Sequence, residues 1–343
     1  MSQNTEKLHR DIVVIGSSAG GIEALVNLAA NLPTDFSATI FVVQHMPAFA
    51  ESNLAKILNR KSTIPVEDAK DGATVEVGKI YCSQVNKHLI LENGKMLLTK
   101  GPKENRFRPS IDTLFRSAAY EYKQRVIGVV LSGALNDGTA GMCTIKRLGG
   151  LVLTQSSSDA LFDSMPTEVG KYTEVDFTLT APELGKKIGV LTAKPVPALV
   201  STSKSQEDML KMEIEIAKNK NALDMGVFDN RHYTPLTCPD CHGALVKMSE
   251  GGIIRFRCHT GHAFTTDALL AGVTENIEKD LWKVMRGMEE GEMVLKTLAA
   301  EFKKIGELSA SVKFQERAES FIHKSKQIHS IINNIEVLST GNI

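Results

Sequence analysis

Residues 11–25 read DIVVIGSSAGGIEAL, a pattern typical of a strand, a glycine-rich turn and a helix. The β-branched run at residues 12–15 is typical of a buried parallel strand, and the residues from Gly20 onward predict a helix. Ser18 therefore lies at a strand-to-helix turn, where glycines allow close backbone approach and helix N–H groups can face an anion. Such a turn serves a dinucleotide-binding loop or a nucleophilic serine equally well, so the rest of the chain must separate the two.

The overall composition indicates a globular protein without a general affinity for polyanions. The chain has 343 residues, 42% of them apolar, which is enough for two domains or for one domain with appendages. Forty basic residues balance forty acidic ones, so no net positive charge attracts the protein to nucleic acid or to an anionic membrane. The first ten residues lack an apolar signal core and no apolar run is long enough to span a bilayer, so we expect a cytoplasmic protein.

Two further apolar runs, at residues 38–43 and 126–131, predict strands that lead to His45 and Asp137. The carboxyl ends of parallel strands meet at one edge of a sheet, so both side chains can reach Ser18. Asp137 would then orient His45, which would take the proton of Ser18, while backbone N–H groups near Ala19 and Ala134 would hold an oxyanion. Each residue type also has common structural roles, but their joint position at strand ends favours a serine hydrolase.

Other segments predict the surroundings of this edge. Short strands at residues 64–85 suggest an antiparallel arm, and Asn93-Gly94 predicts a hairpin turn. Ser110 is a candidate cap for a helix that follows it. Arg106 and Arg108, just before, either contact an acidic substrate or partner or belong to a solvated basic loop.

Five motifs occur in a fixed order: IGSSAGG at 15–21, QHMP at 44–47, RPSID at 108–112, SGALNDG at 132–138 and MP at 165–166. In this order they resemble the catalytic domain of the chemotaxis protein-glutamate methylesterases, the CheB family. The resemblance covers residues 11–192 and implies a doubly wound α/β fold with a mostly parallel sheet. It implies Ser18 as nucleophile, His45 as base and Asp137 as its orienter, and Met165 joins the two arginines as a candidate substrate contact. The implied reaction is hydrolysis of glutamate γ-methyl esters on methyl-accepting chemoreceptors, with release of methanol and without a cofactor. Deamidation of receptor glutamines is a related activity.

The chain departs from the family pattern in three places. Ala19 stands where members often have a hydroxyl residue, and Ala134 where many have methionine. Well-known members also carry an N-terminal receiver domain, whereas here about ten residues precede the first strand. We therefore expect a stand-alone form whose regulation comes from another part of the chain or from a partner, such as a component of a chemosensory array.

Three of the five cysteines lie between residues 238 and 258, which favours a metal site over a disulfide framework. Two thiolates at a two-residue spacing, followed by a second knuckle, predict a structural zinc ion held by Cys238, Cys241, Cys258 and His262. His259 competes for the fourth position. Gly261, a turn residue beside the ligand, and a similar pattern in extended family members favour His262. The segment lacks the basic, aromatic-rich face that nucleic-acid binding would need.

We expect four parts: a catalytic domain at 1–192, a linker with a short helix at 193–235, a zinc ribbon at 236–265 and a helical hairpin at 266–343. The hairpin's apolar stripes either pack on each other or bind a partner helix.

Two rival functions are a nucleotide-binding domain and a scaffold without catalysis. The first expects an acidic ribose contact after the second strand, where the sequence has Gln44-His45.

Overall fold

The structure is a computed structural model that describes residues 8–47, 49, 53–197, 203–229, 232–250 and 252–335. Its strands are β1 (Ile12–Ser17), β2 (Thr39–Gln44), β3 (Val66–Asp68), β4 (Ile80–Cys82), β5 (His88–Glu92), β6 (Lys95–Thr99), β7 (Val126–Val130), β8 (Leu151–Gln155), β9 (Phe177–Leu179), β10 (His232–Thr237), β11 (Ala244–Glu250), β12 (Ile253–Cys258) and β13 (Ala263–Thr265). Its α-helices are α1 (Gly21–Ala29), α2 (Leu54–Asn59), α3 (Ile111–Tyr122), α4 (Thr139–Arg147), α5 (Ser164–Tyr172), α6 (Ala181–Thr192), α7 (Lys204–Ala217), α8 (Thr266–Lys304) and α9 (Leu308–Asn333).

Seven strands form a parallel sheet in the order β3-β4-β2-β1-β7-β8-β9, so the predicted doubly wound α/β fold is confirmed. The chain builds outward from β1 through β2 on one side and from β7 on the other. The strand order therefore reverses between β1 and β7. Open α/β sheets bind their ligands at such a reversal, beyond the carboxyl ends of the strands.

Alternate residues of β1 pack into two separate cores. Ile12 and Val14 face a core shared with α3, whereas Val13 and Ile15 face a core shared with α1 and α6. The two-residue period of a strand and helices on both faces explain why the whole run at 12–15 is apolar.

One predicted segment differs from expectation, and the one after it agrees. The three-residue strands β3 and β4 pair in parallel at one edge of the main sheet instead of forming an antiparallel arm. The predicted hairpin at Asn93-Gly94 is present, and its strands β5 and β6 form a separate two-stranded sheet. Segments this short have no periodic pattern, so tertiary pairing decides their direction.

Helix α7, predicted inside a linker, buries Leu210, Ile214 and Ala217 in the same core as α3. Beyond it, β10 to β13 form an antiparallel sheet in sequence order, which we call the C-terminal ribbon (residues 232–265). The boundary between the two compact units of the chain lies after Leu269. The C-terminal ribbon therefore belongs to the same unit as the large sheet, although the sequence suggested a separate module.

The second unit contains most of α8 and all of α9, which run antiparallel as a hairpin. Phe302 stacks on Phe314 with ring centroids 5.2 Å apart, and Trp282 meets His329 edge-on at the other end. Ser325, a small residue within the predicted apolar stripe, is buried against Glu289. Ile277, Val284, Leu298 and Ile305, also from the predicted stripes, remain exposed. Within the described ranges, no helix combines the length and apolarity needed to cross a bilayer.

Candidate active site

Ser18 lies in the turn between β1 and α1, at the reversal of strand order. Its N–H donates to Ser132 O at 2.9 Å, which ties the turn to the loop after β7. Gly20 has φ +72°, and a Cβ there would lie 2.7 Å from Ser132 Oγ, so only glycine fits. Gln44, at the end of β2, donates through Nε2 to Ser18 O at 2.7 Å and to His45 O at 2.9 Å. The turn that presents Ser18 is therefore held from both neighbouring strands.

His45 lies between Ser18 and Asp137. Its Nδ1 is 3.2 Å from Ser18 Oγ and its Nε2 is 2.9 Å from Asp137 Oδ2. An ionised carboxylate only accepts hydrogen bonds, so Nε2 carries the proton and Nδ1 is free to accept one from Ser18. The two ring nitrogens are exchanged relative to the chymotrypsin arrangement, in which Nε2 faces the serine. Phe107 stacks on the imidazole with ring centroids 3.7 Å apart and fixes the plane of the ring.

Asp137 is buried and accepts a dense set of hydrogen bonds. Its Oδ2 accepts from Ile111 N at 2.7 Å as well as from His45. Its Oδ1 accepts from Asn105 Nδ2 and Ser110 Oγ, both at 2.9 Å, and from Asp112 N at 3.3 Å. Burial by itself would raise the pKa of Asp137, but these donors, His45 first, outweigh it and lower the pKa below its usual range. Asp137 thus stays a carboxylate at the positive N-terminal end of α3.

The sequence model of the CheB methylesterase family matches residues 13–188, just over half of the chain. The chain belongs to the CheB methylesterase family. The family that the sequence motifs indicated is thereby confirmed, and the rival nucleotide-binding interpretation is not favoured.

Similar proteins extend this result. A protein-glutamate methylesterase/protein-glutamine glutaminase of Thermotoga maritima is 38% identical over 181 residues, 52% of this chain and 53% of that protein. A relative named protein-glutamate methylesterase/protein-glutamine glutaminase 2, of Methanosarcina acetivorans, is 37% identical over 187 residues, 52% of each chain. A Leptospira interrogans relative is 34% identical over 180 residues, which is 93% of its length. The crystal structure of the Thermotoga maritima CheB methylesterase catalytic domain has 36% sequence identity and a TM-score of 0.52, covering 54% of this chain and all of that one.

A cleft of about 470 Å³ opens onto Ser18 and His45. Ala19, Arg106 and Arg108 are among the residues that line it. The guanidinium of Arg108 also donates to Asn86 Oδ1 at 2.9 Å and to Gly101 O at 2.8 Å, so these groups fix its position.

One predicted substrate contact lies differently from expectation. Met165 is fully buried, and a Cβ on Gly133 would lie 2.3 Å from its sulfur. Met165 therefore supports the loop beside Ser18 instead of facing the cleft. Ala134 is exposed on that loop, next to Gly133, where an added Cβ would lie 2.8 Å from Ser18 Cβ.

Two donors to Asp137 were not predicted from the sequence: Asn105 was not singled out, and Ser110 was expected to cap α3. Ser110 occupies the position before α3 as predicted, but its hydroxyl makes no capping bond and donates to Asp137 instead. Asn105 donates to the same carboxylate oxygen from a backbone conformation with φ +50°. The left-handed conformation favours asparagine, but nothing in the local sequence shows that its side chain would point at Asp137.

The C-terminal ribbon brings together Cys238, Cys241, Cys258 and His262, whose ligand atoms all lie within 4.8 Å of one another. His259, the competing residue, packs its ring close to Gly243. The cluster comes from two tight turns. The first closes with His242 N donating to Cys238 O at 2.8 Å, and the second with Cys258 N donating to His262 O at 3.0 Å.

Proposed function

We propose that this chain hydrolyses glutamate γ-methyl esters on methyl-accepting chemoreceptors and releases methanol. The observation that carries the proposal is the continuous set of contacts from Ser18 through His45 to Asp137 at the edge of an open cleft. Relatives named protein-glutamate methylesterase/protein-glutamine glutaminase support protein glutamate esters as the substrate class and deamidation of protein glutamines as a second activity.

In this mechanism Ser18 Oγ attacks the ester carbonyl while His45 Nδ1 takes the serine proton. The tetrahedral intermediate collapses, and methanol leaves with the proton from His45. The acyl group of the receptor glutamate then remains on Ser18 until water, deprotonated by His45, hydrolyses it. Asp137 stabilises the imidazolium that forms in each step. Backbone N–H groups at Ala19 and Ala134 are the proposed donors to the oxyanion.

The test is release of methanol from methyl-labelled chemoreceptor by the wild type and by Ser18→Ala. We expect release by the wild type and a loss of at least about 1,000-fold in Ser18→Ala, because the nucleophile is removed. Ser62→Ala is the matched control, since Ser62 Oγ donates to Ile64 O in the loop after α2, away from the cleft. Equal release by wild type and Ser18→Ala would contradict the assignment of the nucleophile. A folded wild type inactive on a matched receptor would favour a scaffold.

We further propose that the four-residue cluster of the C-terminal ribbon holds a structural zinc ion. In a tetrahedral site with Zn–S distances of ~2.3 Å and Zn–N distances of ~2.0 Å, the ligand atoms are about 3.5–3.8 Å apart. Cys241 Sγ lies 3.6 Å from Cys258 Sγ, and His262 Nδ1 lies 3.7 Å from the sulfurs of Cys238 and Cys258. The donor set and the spacing fit zinc, and four protein ligands leave no open position for catalysis.

A further inference from the structure

The loop that precedes α3 makes contacts on both of its sides. Towards the active site, Asn105 Nδ2 donates to Asp137 Oδ1 and to Asp112 Oδ2, both at 2.9 Å. Towards the C-terminal ribbon, Asn105 N donates to Ala263 O at 2.8 Å, and Asn105 Oδ1 accepts from Thr265 N at 2.9 Å. One asparagine therefore joins strand β13 to the carboxylate that orients His45.

The same side chain is nearly enclosed. Asn105 is 1% exposed and Thr265 is also 1% exposed, so water does not compete for the hydrogen bonds between them. The Nδ2 group of Asn105 has two acceptors, and its Oδ1 atom has one donor. Loss of any partner would leave a buried polar group unpaired, which makes this arrangement the favoured one.

A second contact reaches the residue beside Asp137. Thr265 Oγ1 donates to Asn136 Oδ1 at 2.6 Å, and Asn136 Nδ2 donates to Asp267 Oδ2 at 2.8 Å. Thr265 thus contacts Asn105 through its backbone and Asn136 through its side chain. Both loops that position Asp137 are bonded to the end of β13.

Next to Asn105, a buried ion cluster joins the C-terminal ribbon to α3. Glu104 pairs with Arg116 of α3 at 2.6 Å and with Arg255 and Arg257 of β12 at 2.9 and 3.2 Å. Every one of these side chains is at most 1% exposed. The position of β12, and with it β13, is therefore fixed relative to the loop at residues 104–107.

We propose that Asn105 is a positioning residue of the esterase site and that the C-terminal ribbon, through β13, holds Asn105 against Asp137. This inference rests on the proposed methylesterase function. The C-terminal ribbon lies outside residues 13–188, which match the family, so these contacts come from a part of the chain that the family match does not include. Without Asn105, the Asp137 carboxylate loses a donor on Oδ1 and can rotate, which moves the Oδ2 atom that orients His45.

The first test compares wild type with Asn105→Gly, which keeps the positive φ and removes only the side chain. We expect kcat to fall about 10- to 100-fold with KM within about twofold, because substrate binding is untouched while the base is misaligned. Asn93→Gly is the matched control, since Asn93 has φ +51° in the exposed β5–β6 turn. A folded Asn105→Gly with the kcat of wild type would overturn the proposal.

The second test addresses the C-terminal ribbon itself. Thr265→Val removes the hydroxyl bonded to Asn136, and we expect a lower kcat, restored by Thr265→Ser. Thr234→Val is the control, because Thr234 Oγ1 donates to Leu245 O within the ribbon and should leave kcat unchanged. Equal kcat values for Thr265→Val and wild type would contradict a role for the ribbon at this contact.

A readout independent of turnover separates this inference from the proposed function. The proton on His45 Nε2, hydrogen-bonded to Asp137, gives a downfield NMR signal in protein with labelled histidine. We expect Asn105→Gly to shift or broaden this signal and to speed exchange of the Thr265 amide, with neither change in Asn93→Gly. An unchanged signal and unchanged exchange would defeat the inference even if the wild type proved inactive on receptors. Inactivity of wild type with both changes present would defeat only the proposed function.

Discussion

At the scale of single residues, the charge on Asp137 depends on how many donors surround it. Desolvation opposes a buried carboxylate, and here hydrogen bonds from His45, Asn105 and the start of α3 outweigh that cost. Asp112, the next acidic residue, has fewer donors and lies beside the charge of Asp137. The pKa of Asp137 is therefore lowered and the pKa of Asp112 raised, although both carboxyl groups are buried.

We expect Asp112→Asn to change how stability depends on pH. Burial, and next the charge of Asp137, raise the pKa of Asp112 to about 7. A carboxyl whose pKa is higher in the folded than in the unfolded chain loses folding free energy as it ionises, so its contribution falls as pH rises from about 4 to about 7. Urea unfolding at pH 5 and pH 8 should show a smaller loss of stability on raising the pH in Asp112→Asn than in wild type. Exposed Asp35→Asn is the control, and the same pH dependence in Asp112→Asn as in wild type would contradict the expectation.

At the scale of elements, α3, α7 and the C-terminal ribbon are joined by buried ion pairs as well as by apolar packing. Glu213 of α7 contacts Arg255 at 2.9 Å and also pairs with Arg257. Burial opposes its charge, but Arg257 and then Arg255 lower the pKa of Glu213 to about 2. A buried cluster of this kind tolerates the loss of a member poorly, because the remaining charges stay desolvated.

We therefore predict that Glu104→Gln lowers the free energy of unfolding by about 3–5 kcal/mol. Arg116, Arg255 and Arg257 would each lose a charged partner in a buried site. Glu67→Gln is the matched control: Glu67 pairs with Lys79 at 2.9 Å on the surface, with 43% of its side chain exposed. Its loss should cost less than about 1 kcal/mol. Urea denaturation of both variants measures the difference, and equal costs would show that the buried cluster contributes no more than a surface pair.

At the scale of the whole molecule, the C-terminal ribbon and the parallel sheet share one compact unit, and residues 270–335 belong to another. Buried contacts join the C-terminal ribbon to the catalytic part of that first unit. Glu104 pairs with Arg255 and Arg257, and Thr265 N donates to Asn105 Oδ1. We expect unfolding of the C-terminal ribbon to be coupled to that of the parallel sheet.

Removal of zinc should consequently destabilise the catalytic part and not the ribbon alone. We predict one zinc ion per chain by elemental analysis and a fall in Tm on the order of 10 °C after chelation, seen in the calorimetric transition of the first unit. Cys258→Ser should reproduce this fall. Cys143→Ser, a buried cysteine outside the cluster, should retain zinc. A chain that binds no zinc, or whose Tm is unchanged by chelation, would refute the prediction.

The centre of the parallel sheet and the strand-end positions of Ser18, His45 and Asp137 could be predicted from the sequence, because each residue follows a strongly apolar run. The sequence also determined the spacing of the cysteine cluster, since each knuckle is local. Three features depend on tertiary packing and could not be predicted: the pairing of β3 and β4, the role of Ser110, and the link from Thr265 through Asn105 to Asp137. Asn105 and Thr265 are 160 residues apart. Hydrogen bonds between such distant residues leave no periodic signal in the chain, because they depend on how separate elements pack.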